Sequence, residues 1–169
     1  MAKRTRPKAT DPRAEVRAAS QPWAIVFFER HRDDDRGGPV PGADFLDSCP
    51  VGVRADLVAI VKAVADAPPM KFAGGGQWQG MRGDMAGIYE ARTRGPRKRL
   101  YRLFCVLERE APGLPGPSLV IITGMDKPNE SAFSAADYRR VRRLRDEYLG
   151  RTPHRTERST FSASGSHSA

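Results

Sequence analysis

Apolar residues gather into short runs and stripes between residues 23 and 150. Residues 23–29 (WAIVFFE) and 118–125 (SLVIITGM) are apolar runs with the length and the β-branched and aromatic content of buried strands. Between them, the two halves of residues 87–107 (GIYEARTRGPRKRLYRLFCVL) flank Gly95-Pro96, which predicts a β-hairpin. The sequence therefore predicts four strands, and the fourth is expected at the centre of the sheet.

Helical spacing occurs on both sides of the hairpin. Residues 43–49 (ADFLDSC) are expected to form one or two turns, and a longer helix is predicted from a stripe that ends before Pro68 and Pro69. Its members are Val53, Leu57, Ile60, Val61 and Val64. Ser134 and Asp137 fit a capping box at the start of a last helix. The stripe of that helix is Tyr138, Val141, Leu144 and Tyr148.

The resulting element order is β-α-α-β-β-β-α. Residues 30–42 are a polar, Gly- and Pro-rich connection, and residues 74–80 (GGGQWQG) are expected to be a loop. This order predicts an α+β domain with helices packed on a small, mostly antiparallel sheet.

Charge sets the expected domain boundaries. The chain has 169 residues and a net charge of +9, so a polyanion is the first partner to consider. Residues 1–22 hold six cations, two acids and few large apolar side chains, and they are expected to be a disordered basic arm. Residues 151–169 are Ser-rich and are expected to be a disordered tail. The folded domain is therefore predicted to span residues 23–150.

The hairpin is the most basic part of the predicted domain. Between residues 92 and 109 the chain holds seven Arg and Lys residues and one acid, Glu108, which is a net charge of +6. Excluding the arm (+4) and the tail (+2) leaves only +3 for the whole domain. The domain is therefore expected to be polarised, with one basic face.

Other features of the sequence favour simpler interpretations. Gly74–Gly76 lack the Lys-Ser/Thr ending of a phosphate loop, and Asp33–Asp35 have no partners at metal-ligand spacing. Cys49 and Cys105 have no CxxC spacing, which is typical of a reducing cytoplasm. No apolar run has the length of a membrane span. No metal or cofactor is expected.

Three motifs occur in order within the domain: Glu90-Ala91-Arg92, Tyr101-Arg102, and Lys127 in a turn before an Arg-rich helix. Over residues 23–149 the chain resembles the RelE/HigB-like toxin superfamily, in particular its phage-derived HigB-type branch. The resemblance implies a RelE-like fold and a type II toxin that cuts mRNA in the ribosomal A site. It also implies a cognate antitoxin, expected to be a helix-turn-helix protein, and a catalytic role for Lys127.

The residue types suit this chemistry. RNA cleavage by the 2′-OH needs stabilisation of charge on the phosphate, and the planar guanidinium of arginine matches phosphate oxygens. Arg92 and Arg102 are equidistant from the turn and are expected to converge on one exposed face. Tyr101 or Lys98 is expected to move protons, because none of the three histidines lies in the hairpin. The residues expected to position RNA are Arg94, Arg97, Arg99 and Arg143.

Alternatives remain open at this point. Arg92 and Arg102 are also explained as a strand face that pairs with Glu90 or Glu108, and Tyr101 as a core aromatic side chain. The arginines of the last helix are also explained as an ordinary polar face. As a whole, the chain is also explained as a non-catalytic toxin of the same fold that binds a protein such as gyrase, or as a basic nucleic-acid-binding module.

Overall fold

The computed structural model describes residues 21–67, 76–129 and 131–160. Three helices and six strands form within these ranges. The helices are α1 (Pro41–Ser48), α2 (Val51–Asp66) and α3 (Ala135–Leu149). The strands are β1 (Ala24–Phe28), β2 (Trp78–Gly80), β3 (Tyr89–Arg94), β4 (Leu100–Glu108), β5 (Ser118–Lys127) and β6 (Thr156–Arg158). The expected α+β class is confirmed.

The six strands form one mixed sheet in the order β2-β3-β4-β5-β1-β6. Strand β1 pairs in parallel with β5, and the other described pairings are antiparallel. The expected mostly antiparallel sheet is therefore corrected to a mixed one. Helices α1 and α2 follow β1 in the chain, so β1 is not joined to β5 by a tight turn, which would make the pair antiparallel.

Helices cover both faces of the sheet. Side chains of α1 and α2, including Leu46 and Leu57, pack with Leu103 and Ile121 on one face. On the other face, α3 packs against the sheet through side chains that include Val141, Leu144 and Tyr148. Strand β5 is buried from Ser118 to Met125, which confirms its predicted central position. We call these two surfaces the α2 face and the α3 face.

The predicted helical stripes face the core, although Tyr138 of the α3 stripe is only half-buried. All five members of the α2 stripe are buried, and the helix ends at Asp66, two residues before Pro68. Helix α3 begins with the predicted capping box, in which Ser134 and Asp137 bond reciprocally. Periodicity and capping therefore located these helices to within two residues.

Two short edge strands differ from the sequence prediction. Residues 78–80, expected in a loop, form β2 beside β3, where the buried Trp78 ring stacks on Tyr89 with centroids 5.5 Å apart. Residues 156–158, expected in the tail, form β6 beside β1, and Ser159 donates its hydroxyl to Ile25 O. The ordered domain therefore continues past residue 150.

Two predictions concern residues that lie wholly or largely outside the described ranges. These are the basic arm, of which only residues 21 and 22 are described, and residues 161–169 of the tail. In the part of the chain that is described, no helix combines the length and the apolar character needed to cross a membrane.

Candidate functional site: an arginine pair on the hairpin

The predicted hairpin brings Arg92 and Arg102 side by side. Strands β3 and β4 pair in a register that sets Arg92 directly opposite Arg102. Because side chains alternate along a strand, both project on the α3 face, on which Phe104 also lies. The predicted convergence of the two arginines is therefore a consequence of strand register.

The two guanidinium groups meet on the carboxylate of Glu90, which is only 1% exposed. Arg92 Nε donates to Glu90 Oε1 over 2.7 Å, and Arg92 Nη2 bonds to the same oxygen. Arg102 Nη1 donates to Glu90 Oε2 over 3.0 Å. The arginine side chains are 30% and 20% exposed, so the expected exposed face is corrected to a partly buried cluster. The alternative of pairing with Glu90 is what the structure contains.

Glu90 fixes the arginines without neutralising them. One carboxylate faces two cations, which leaves one positive charge on the cluster. A buried carboxylate with two charged donors holds both guanidinium planes in place. The contacts engage only some of the five N–H donors of each guanidinium. The arrangement therefore holds guanidinium donors in fixed positions, with a charge that can bind an anion.

Residues from α3 and the segment before it complete the cluster. Arg102 Nη1 also donates to the Tyr138 hydroxyl over 3.0 Å, and the Arg102 guanidinium lies 4.5 Å from the Phe133 ring centroid. Lys127 Nζ lies 5.5 Å from the centroid of the same ring. Phe133 thus brings Lys127, at the end of β5, into the neighbourhood of the arginine pair.

Lys127 is bound to the start of α3. Its Nζ forms an ion pair with Asp137 and donates to Ala132 O over 3.3 Å. The hydrogen bond from Lys127, with those from Ser134, lowers the pKa of the Asp137 carboxyl to about 2. Asp137 therefore stays charged at neutral pH and holds Lys127 while it caps the helix.

Tyr101 lies on the opposite side of the sheet. It is buried in the core beneath α1 and α2, where its ring centroid is 6.5 Å from that of Phe45. The prediction that Tyr101 moves protons beside Arg102 is corrected, because strand alternation places consecutive residues on opposite faces. The core interpretation is the right one.

Arg99 is also turned away from the arginine pair. Its Nε donates to Asp126 over 2.7 Å, and this hydrogen bond raises the arginine pKa further. Asp126 lies opposite Tyr101 in the register of β4 and β5, so its side chain is on the α2 face. The predicted RNA contact by Arg99 is therefore replaced by a structural ion pair at the edge of the α2 face.

The tip of the hairpin exposes two cations in an unusual backbone conformation. Arg97 and Lys98 have φ values of 55° and 58°, and Arg99 N donates to Pro96 O over 3.2 Å. This is the geometry of a type I′ turn, which is ordinarily filled by Asn-Gly because both central residues need positive φ. The turn thus presents two charges at a cost in backbone strain.

The remaining predicted RNA contacts are exposed. Arg94 lines a cavity of about 390 Å³ together with Arg92 and Arg102. Arg143 is exposed on α3 and lines a second cavity with Lys127. Among the described residues, Arg94, Arg97, Lys98 and Arg143 form no ion pair.

Sequence reasoning missed two members of the site, Phe133 and Tyr138. Phe133 is a single apolar residue in a polar segment and gives no pattern. Tyr138 belongs to the α3 stripe, which predicts a core position, although its hydroxyl reaches Arg102. Glu90 was named from the sequence as one possible partner of the arginines, but its burial was not predicted.

Within the described ranges, no group of three or more His, Cys, Asp or Glu side chains is placed to hold a metal ion. The ionisable groups of the site are the two arginines, Lys127, the Glu90 carboxylate and the phenol of Tyr138. Comparisons of the chain with protein-family models, with curated proteins and with solved structures found no match.

Proposed function

We propose that the protein is the toxin of a type II toxin–antitoxin pair, with a RelE-like fold, which cuts mRNA on the ribosome in the cytoplasm. The observation that carries the proposal is the arginine pair, in which Arg92 and Arg102 are fixed by the buried Glu90. The resemblance in the Glu-Ala-Arg, Tyr-Arg and Lys motifs supports the same function.

In the proposed reaction the 2′-OH attacks the adjacent phosphorus, the bond between phosphorus and O5′ breaks, and a 2′,3′-cyclic phosphate forms. Donors of Arg92 and Arg102 that Glu90 does not use bind the phosphate oxygens as charge develops. Tyr138, whose hydroxyl oxygen accepts a hydrogen bond from Arg102, gives its phenolic proton to the leaving O5′ and takes the proton of the 2′-OH in its place. Lys127 adds positive charge on the same face.

The ribosome supplies the rest of the catalysis. A phenol is protonated near neutral pH and is a poor proton acceptor, so most of the rate must come from holding the 2′-OH in line with the scissile bond. Arg94, Arg97, Lys98 and Arg143 contact the RNA backbone and position the protein. The antitoxin inhibits by covering the hairpin with acidic residues or by blocking its approach to the ribosome.

The test is inducible expression followed by mapping of mRNA 5′ ends, with and without any adjacent reading frame that encodes a helix-turn-helix protein. We expect new mRNA 5′ ends inside translated regions. These ends should disappear when the adjacent frame is expressed, and they should be missing from the same mRNA after its start codon is removed. Growth arrest without new 5′ ends would indicate a non-catalytic toxin. Ends in untranslated RNA would contradict dependence on the ribosome.

A further inference from the structure

A second cavity lies beside Lys127, between α1, the end of β5 and α3. Its volume is about 590 Å³, within the range of sites that hold a nucleotide-sized ligand. Met125 lines it and is the register partner of Arg102 across β4 and β5. The cavity therefore lies beside the strand that carries Arg102.

One wall of the cavity is an open strand edge. The described pairing of β5 with β1 ends at Phe27 and Ile121, whereas β5 continues to Lys127 beside β4. Among the described residues, no backbone hydrogen bond joins residues 123–127 to any segment outside this ladder. Alternate N–H and C=O groups of this stretch therefore face away from β4 and are available to a ligand.

The side chains around the cavity divide into three kinds. Phe45 and Met125 are apolar. Arg140 and Arg143 are exposed on α3, and Asp44 is exposed in the first turn of α1. No salt bridge in the described part of the chain involves these three charged residues. Three further aspartates, Asp35, Asp126 and Asp137, line the cavity but are already paired with Arg30, Arg99 and Lys127. The cavity thus offers apolar side chains, two arginines as phosphate donors and, among its described lining residues, one carboxylate outside any ion pair, that of Asp44.

We propose that this cavity holds one unstacked nucleoside of the bound RNA, next to the phosphate at Arg92 and Arg102, an inference that rests on the proposed function. The base bonds to the open edge of β5, with Phe45 on the α2-face side of the strand and Met125 on the α3-face side. The adjacent phosphate meets Arg140 and Arg143. The carboxylate of Asp44 selects guanine, whose Watson–Crick edge presents two neighbouring N–H donors.

A compact ligand fits this edge better than an added peptide strand. Only five residues of β5 are open, and the chain itself occupies the end nearest β1. There Arg30 N donates to Pro39 O over 3.0 Å, and both residues line the cavity. The unpaired arginines at the opening also favour a phosphate-bearing ligand.

The experiment is a titration of the full ¹⁵N-labelled protein with guanosine monophosphate, followed by NMR. We expect the amide signals of residues 123–127 to shift. Arg140→Ala is expected to weaken binding about tenfold, because it removes a charged hydrogen bond to phosphate. The control is Arg139→Ala, which removes an exposed arginine of the same helix that does not line the cavity.

Base selection is tested by repeating the titration with uridine monophosphate. The wild type is expected to bind guanosine monophosphate more tightly, and Asp44→Asn is expected to reduce that preference. Asp47→Asn, which changes an exposed residue of α1 outside the cavity, is expected to keep it. Equal binding of both nucleotides to the wild type would overturn the role of Asp44.

Two results of the titration would overturn nucleotide binding in the cavity: no shift at residues 123–127, or equal effects of Arg140→Ala and Arg139→Ala. A shift that is caused only by a peptide of alternating valine and glutamate would also overturn it, since the edge would then bind a strand. The titration uses no ribosome, so it separates this inference from the proposed function. Nucleotide binding in the cavity of a protein that cuts no mRNA would contradict the proposed function alone. Cleavage without these shifts would contradict the cavity alone.

Discussion

Glu90 links the stability of the hairpin to its candidate chemistry. The carboxylate is buried, and its described partners are the two guanidinium groups. A buried charge is tolerated only while it is paired, so the residues proposed to bind phosphate also compensate Glu90. Alanine variants of these arginines therefore report on folding as well as on activity.

The first prediction separates those two effects. Arg92→Ala or Arg102→Ala alone should lower the free energy of unfolding by about 1–2 kcal/mol, because one cation remains on Glu90. The double variant should lose about 3–5 kcal/mol, which is the cost of an unpaired buried charge. Adding Glu90→Gln should restore at least half of that loss in urea denaturation. Equal stability of the double and triple variants would contradict this account of Glu90.

The second prediction concerns the hairpin tip. Replacing Arg97-Lys98 with Asn-Gly should raise the free energy of unfolding by about 1 kcal/mol, because both residues have positive φ. The same change should weaken RNA binding, because it removes two exposed charges. Lys98→Gln is the control, since it removes one charge without relieving the backbone. If Asn-Gly gives no gain in stability, the tip is not strained.

Single residues also show where sequence reasoning succeeds. The pairing of Arg92 with Arg102 was predicted to within about a residue, although the turn centres on Arg97-Lys98 and not on Gly95-Pro96. The sequence did not predict that Tyr138, and not Tyr101, is the tyrosine beside Arg102. Helix α3 is distant in sequence, and its stripe predicts only that Tyr138 faces the core. A phenol can face the core with its ring and still reach a polar partner with its hydroxyl.

At the level of helices and strands, Asp137 joins β5 to α3. It accepts from Ser134 N over 2.7 Å and pairs with Lys127, so one carboxylate both caps the helix and holds the lysine. Its pKa in the folded protein is about 2, below the ordinary value of 3.8. A lowered pKa stabilises the fold above the pKa of the unfolded chain, and this stabilisation is lost as the pH falls.

The third prediction follows from that sign. Asp137→Asn should be less stable than the wild type at neutral pH, and the difference should shrink as the pH falls from about 4 to about 2. Thermal unfolding across this range measures it. Asp146→Asn is a suitable control on the same helix. A difference that is constant with pH would show that Asp137 acts without its charge.

The two edge strands escaped prediction for a common reason. Strands β2 and β6 have three residues each, which is too short for an alternating pattern to stand out. Both form because an existing strand offers an unpaired edge. Long elements with capping signals or apolar stripes were predictable because their signals are local.

For the whole molecule, the charge is divided between the arm and the domain. The arm holds six cations and two acids, while Arg92, Arg99 and Arg102 of the hairpin are already paired with carboxylates. The hairpin therefore offers less unpaired charge than its composition implies. RNA affinity that does not depend on the site is expected to come largely from the arm.

The fourth prediction tests this division. Deleting residues 1–20 should weaken binding to single-stranded RNA and reduce the salt dependence, by about 0.7 in log–log slope for each phosphate that the arm neutralises. The positions of mRNA cleavage and neutralisation by the antitoxin should not change. Fluorescence anisotropy at several salt concentrations measures the slope. A deletion that alters the cleavage positions would place the arm in the functional site.

The topology was only partly accessible from the sequence. Apolar patterns indicated the α+β class, but the parallel pairing of β1 with β5 joins residues about ninety positions apart. No local pattern specifies the partner of a strand at that distance. The 590 Å³ cavity was unpredictable for the same reason, because it forms where β5 extends past the end of β1.

The central claim is that Arg102 acts on the phosphate that is cleaved. The most direct measurement is the single-turnover cleavage rate of a defined mRNA on programmed ribosomes, with Arg102→Lys compared with Arg139→Lys. Lysine keeps the charge but lacks the planar donors, so Arg102→Lys should lower the rate about 10²–10³-fold with ribosome binding unchanged. Arg139→Lys should cleave at the wild-type rate. Cleavage by Arg102→Lys at the wild-type rate, or no cleavage by the wild type, would contradict the claim.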